Sequence, residues 1–256
     1  MMYKNDLIVI FGSFISIEAE ELLELDSKLI HINSIEDYEA MPKLDSFYKF
    51  EVGSEEGLIS ALANELVKSN REFFDELDFG YILAESSISE EEIEEIAKVI
   101  QEANNPAIIF SDNILKHEKS QSLSALIALL SRDTDLEIFI DSENTTEFFE
   151  LDGNQKIVSS KFDLEEVDEI DEFNGVVIYN YKDKKSLDLV GSKQFSQIAK
   201  LSDNDKVSIT VDGSKVDRVF KLDENLKGTI ALNSDFDLKT AYRYQRVKID
   251  KVVENE

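Results

Sequence analysis

The chain has 256 residues, 42% of them hydrophobic, with 27 Lys and Arg against 55 Asp and Glu, a formal charge of −28. It contains no Cys, no Trp, two His and two Pro. Those figures exclude disulfide scaffolds, Cys-ligated zinc, iron–sulfur clusters and thiol nucleophiles. They also oppose nucleic-acid binding through a basic face, and the apolar fraction argues against global disorder.

In chain order, the apolar run Asp6 to Phe11, followed by Gly12, predicts a buried parallel strand. Ile17 to Leu25 reads as a short helix, Lys28 to Ile32 as a second strand, Ser34 to Ser46 as a loop containing Pro42, and Phe47 to Val52 as a strand. Ser54 to Ser69 reads as a helix capped by Ser54, with Leu58, Leu62 and Leu66 recurring every four residues. Phe79 to Ala84 reads as a strand. Ser89 and Glu92 form a capping-box pattern ahead of Ile93, Ile96, Ala97 and Ile100, and Pro106 ends that helix. Ala107 to Phe110 and Leu136 to Ile140 are strands around a helix, with Leu123, Leu126, Ile127 and Leu130 as its buried stripe. Such alternation predicts βαβ units and a mostly parallel sheet with flanking helices.

Asp163 to Glu172, with seven acids in ten residues, reads as an exposed acidic helix or loop, or as a linker. Beyond it the pattern changes. Gly175 to Tyr179, Val207 to Val211, Val216 to Leu222, Gly228 to Leu232 and Val247 to Ile249 are short strands, with Asp212-Gly213 as a hairpin turn and Ser192 to Leu201 as a lone helix. The expected organisation is an α/β domain over residues 1–174 and a β-rich, barrel-like C-terminal domain over residues 175–256.

The motifs of catalysis are sparse. The first apolar run is too short for a signal sequence, and no stretch approaches the ~18 apolar residues a spanning helix needs, so a cytoplasmic chain without membrane insertion is expected. His31, between Ile30 and Ile32, reads as a structural histidine in a strand, and His117, among charged neighbours, as a surface residue. There is no Gly-x-Ser-x-Gly elbow, no Gly-x-Gly-x-x-Gly turn and no P-loop. Gly12-Ser13 reads as a tight strand-to-helix turn, and the acidic loop Ser202 to Asp205 does not match an EF-hand. No catalytic, cofactor-binding or metal-ligating residue is therefore assigned. Lys239 to Lys251 departs from the general acidity: five bases stand against one acid, Asp250, with Tyr242 and Tyr244 interleaved. It reads as a strand that pairs its charges with acidic neighbours, or as a segment that docks a protein partner through Tyr242, Arg243, Tyr244 and Arg246.

Residues Glu90 to Phe110, with the Leu/Ala-rich helix after them, resemble a recurring unit of the molybdopterin-oxidoreductase fold. Asn204 to Gly213, Leu226 to Leu232 and Tyr242 to Ile249 look like the small C-terminal β-barrel of that family. Within it the chain is most similar to the large peripheral-arm subunits of proton-pumping NADH-quinone oxidoreductases, which keep the fold and typically carry no molybdenum cofactor. The Cys-rich ferredoxin-like region of those subunits has no counterpart here. The resemblance implies an accessory or structural subunit of a respiratory complex I-type peripheral arm, without a redox cofactor of its own. It would contact other subunits and bind no nucleic acid, as a cytoplasmic protein at most peripheral to the inner face of the membrane. The alternatives are a small hydrolase or transferase using Asp/Glu chemistry, and an acidic adaptor.

Overall fold

The structure is a computed structural model that describes residues 4–142, 144–167, 175–181, 187–211, 214–234 and 241–252. In chain order the first elements are β1 (Leu7–Phe11), α1 (Ile15–Glu18), β2 (Lys28–Asn33), β3 (Ser46–Lys49), α2 (Glu55–Leu66), α3 (Arg71–Asp75) and α4 (Phe79–Ser86). They continue with α5 (Glu90–Glu102), β4 (Pro106–Ser111), α6 (Ser120–Asp133), β5 (Glu137–Asp141), α7 (Thr145–Phe148), β6 (Phe149–Leu151) and β7 (Ile157–Ser160). The remainder is β8 (Val177–Tyr181), β9 (Asp188–Gly191), α8 (Lys193–Ala199), β10 (Lys206–Val211), β11 (Ser214–Leu222), β12 (Ile230–Ser234), β13 (Tyr244–Arg246) and β14 (Lys248–Lys251). Two compact units result. The first comprises Met1–Ser13, Ala19–Ser34 and Met41–Glu172; the second comprises Phe14–Glu18, Ile35–Ala40 and Phe173–Glu256.

The first unit is the expected α/β fold. Its five strands run parallel in the order β3-β2-β1-β4-β5, flanked by helices. Every residue of β1 and β4 is buried, which explains their unbroken apolar sequences. Helix α6 is buried from Ser122 to Ser131, as its wide apolar stripe predicts. The capping box forms: Glu92 N–H donates to Ser89 Oγ at 3.2 Å and Ser89 N–H donates to Glu92 Oε2 at 2.8 Å. Asp6 holds the turn between α5 and β4 by accepting from the amides of Asn104 and Asn105 at 2.9 and 2.8 Å.

Two local expectations fail. Phe79 to Ala84 is helix α4, not a strand: Asp78 caps it by accepting from Tyr81 N–H at 3.1 Å, and Ile82, Leu83 and Ser86 turn inward. A six-residue apolar run fits either period, and the cap decides. Ser54 does not cap α2, because its hydroxyl donates to Glu51 O at 2.6 Å instead.

The second unit is the β-rich part. Its seven-stranded, curled sheet has the order β13-β8-β12-β9-β11-β10-β14. The two ends of that order, β13 and β14, are one bent segment of chain broken only at Val247. It pairs antiparallel with β8 through its first half and with β10 through its second, and the sheet curls into a half-barrel. Ile178, Leu189, Phe195, Val207, Ile209, Phe220 and Ala231 form the core. Phe195 and Phe220 stack at 6.1 Å beside Gly191, where a Cβ would stand 2.7 Å from Phe195 and 2.8 Å from Phe220. That close approach is why the last residue of β9 has no side chain. The expected turn Asp212-Gly213 and the end of the acidic run, residues 168–174, lie outside the described residues; Asp163 to Val167 has no regular structure. Strand β9, with four residues, was not anticipated from the sequence, whereas β13 falls within the segment Lys239 to Lys251 that was read as a strand.

Candidate functional site

In doubly wound sheets a ligand is usually taken at the carboxyl ends of the strands, where the turn after the first strand offers backbone N–H groups to an anion. In the first unit, Gly12 leaves β1 with φ +77°, and its N–H donates to Ile32 O at 3.0 Å. The Ser13 carbonyl meets His31 Nε2 at 2.9 Å and accepts from Asn33 Nδ2 at 3.2 Å. His31 is fully buried, the structural histidine expected of it, and Gly12-Ser13 is the expected tight turn.

Immediately downstream, within the second unit, the Phe14 and Ser16 amides meet the protein's own carboxylates. Glu18 Oε2 accepts from Phe14 N–H at 2.9 Å and from the Tyr179 hydroxyl at 2.7 Å. Its other oxygen pairs with Arg243 Nη1. Asp37, fully buried, accepts from Ser16 N–H at 2.7 Å, Ser16 Oγ at 2.8 Å and Ala40 N–H at 3.3 Å. Tyr38 and Glu36 tie the same segment to Asp223 and Lys227. Burial, then the charge of Asp223, pushes the Tyr38 hydroxyl up to about 12.

The segment predicted to dock a partner lies in this unit too, and its four residues have different fates. The Arg243 side chain is only 13% exposed and stands over the Tyr179 ring, 6.0 Å from its centre. Burial lowers its pKa to about 10, which leaves it a cation at neutral pH beside Glu18. Tyr244 is 2% exposed and packs on Tyr179 with ring centres 4.8 Å apart, and the Tyr242 ring is 5.7 Å from it. Tyr242 is half-buried and Arg246 is exposed. The alternative reading of this segment, a strand that pairs its charges locally, describes Lys248 with Asp250 at 3.0 Å and Lys251 with Asp205 at 2.6 Å.

Two further features belong to the first unit. His117, expected at the surface, is 6% exposed and lies 3.4 Å from the buried Glu55 carboxylate. Glu55 is a first-turn residue of α2, far away in sequence, so no local pattern marks the contact. A groove of about 760 Å³ is lined by Asn70–Phe73, by Ala125, Ala128, Leu129 and Arg132 of α6, and by β7 and the segment after it. Its residues Asn70–Phe73 lie past the carboxyl end of α2. Its two guanidinium groups are engaged: Arg71 with Asn64 and Asp75, and Arg132 with both oxygens of Asp133.

Among the described residues no group of three or more His, Asp or Glu is placed to hold a metal ion, and no helix is long and apolar enough to cross a membrane. No family model and no curated protein matches the chain.

Proposed function

We propose that the protein is a cofactor-free accessory subunit of the peripheral arm of an NADH-quinone oxidoreductase-type complex, a scaffold on the cytoplasmic side that contacts other subunits. Two things support the reading. One is the resemblance of residues 90–110, 204–232 and 242–249 to the large peripheral-arm subunits of such complexes. The other, which carries it, is the self-liganded turn after β1. Glu18 and Asp37 each gather three donors around one carboxylate, and these include the Phe14 and Ser16 amides. A nucleotide phosphate would have to displace both carboxylates against like charge. The α/β unit then serves as framework, and Tyr242 and Arg246 are the members of the docking segment with surface to offer.

The test is the cofactor content and nucleotide affinity of the purified full chain. Iron, molybdenum and flavin below a tenth of an equivalent (on the order of the noise of such assays), with no NADH binding by calorimetry at millimolar ligand, are the expected results. A stoichiometric flavin or metal, or micromolar NADH binding, would overturn the reading and turn attention to an Asp/Glu enzyme.

A further inference from the structure

Helix α2 opens with two buried acids, Glu55 and Glu56, 3% and 5% exposed. The turn between β4 and α6 brings His117 against them, with Nε2 at 3.4 Å from Glu55 Oε2. On the other side of the ring, Lys119 N–H donates to His117 Nδ1 at 3.0 Å. That bond requires a lone pair on Nδ1, so the neutral ring carries its proton on Nε2, facing Glu55. A second proton can enter only at Nδ1, where it would confront the Lys119 N–H. The charged groups acting on the ring are Glu55 and Glu56 from α2 and Glu118 on the turn itself, and the neighbouring Lys116 pairs with Asp112 at 2.7 Å. Burial opposes a charged imidazole, but the hydrogen bond to Glu55 and the charges of Glu55, Glu118 and Glu56 outweigh it and raise the pKa. Electrostatics draws in a proton that the hydrogen-bond geometry has no place for.

We propose that His117 is a proton-operated latch on the turn that starts α6: the neutral ring holds the Lys119 amide, and the ring protonated at Nδ1 releases it. The proton comes from solvent and returns there, and the conflict is resolved by movement of the turn, because α2 and α6 are fixed by their buried faces. The device is independent of the role proposed for the whole chain. It makes the start of α6 a two-state element at the carboxyl edge of the parallel sheet.

Nuclear magnetic resonance of the isotopically labelled full chain between pH about 5 and 9 tests it. The ring nitrogen shifts report tautomer and protonation, and Lys119 amide exchange, corrected for its intrinsic pH dependence, reports the bond. The latch predicts an Nε2–H tautomer at high pH and a ring midpoint above 6.5. It also predicts Lys119 exchange that accelerates about fivefold or more below the same midpoint, as the loss of one hydrogen bond requires. Glu55→Gln shifts both midpoints down together by about one pH unit. His117→Gln abolishes the Lys119 step; should that variant fail to fold, the paired shift in Glu55→Gln carries the test. A Lys119 amide indifferent to the ring titration, a ring that does not titrate in this range, an Nδ1–H tautomer at high pH, or a step that survives in His117→Gln would each overturn the proposal.

Discussion

Glu18 is held by groups from opposite ends of the chain: Phe14 N–H four residues away, the Tyr179 hydroxyl 161 residues away, and Arg243. Its side chain and that of Arg243 are 12% and 13% exposed, so each charge depends on the other for most of its stabilisation. Glu18→Ala leaves a nearly buried guanidinium without this carboxylate and is expected to cost about 2–4 kcal/mol in urea unfolding. Tyr179→Phe, which removes one neutral donor and keeps the ring packing, is expected to cost about 1 kcal/mol. A Glu18→Ala loss no larger than that of Tyr179→Phe would mean that the pairing with Arg243 adds nothing beyond the tyrosine hydrogen bond. Gly191→Ala tests the other close approach: its new methyl must push Phe195 and Phe220 apart, at an expected cost of about 1–3 kcal/mol. His31 was legible in the sequence because its neighbours Ile30 and Ile32 mark a buried strand. His117 was not, because its neighbours are charged and its burial is imposed by Glu55 on another element. Glu18 and Asp37 were invisible for a related reason, since Tyr179, Arg243 and Ser16 reach them only through the fold.

Among elements, those with a strong period and a recognisable start were legible. Helix α5 carries both, and its capping box forms as the pattern Ser89 to Glu92 demands. Ser89→Ala is accordingly expected to cost about 1 kcal/mol by thermal unfolding. Helix α4 was misread because its apolar run is short, and strand β9 was missed because four residues leave no period to detect. The link between α5 and β4 adds a pH-dependent contribution. The amides of Asn104 and then Asn105 lower the pKa of Asp6 from 3.8. A depressed carboxylate contributes stability that is present above its unfolded value and is lost as pH falls through the folded one. Asp6→Asn should therefore flatten the loss of stability below pH 3.8, read as the urea midpoint against pH in both proteins. Parallel curves with the same acid limb would mean that the clamp is not coupled to folding.

For the molecule as a whole, the class was legible: alternating strand and helix patterns give the parallel sheet, and the later short strands give the curled one. What no pattern showed is that Phe14–Glu18 and Ile35–Ala40, segments that follow the first two strands, belong to the compact unit built mainly from the C-terminal third. Buried carboxylates join them to it, and Glu and Asp in a chain this acidic do not announce which of them are buried. The net charge of −28 also has a global consequence. Self-repulsion is screened within a Debye length of about 8 Å at physiological salt, so the melting temperature should rise by a few degrees between roughly 0.01 and 0.15 M sodium chloride. A fall would mean that attractive ion pairs such as Lys251–Asp205 outweigh the repulsion. The account's central claim, a cofactor-free scaffold within a larger oxidoreductase, is tested most directly by purifying the tagged protein from its own cells in mild detergent and identifying every co-purifying chain by mass spectrometry. The account predicts quinone-oxidoreductase subunits in fixed stoichiometry, and recovery of the protein alone as a monodisperse species would contradict it.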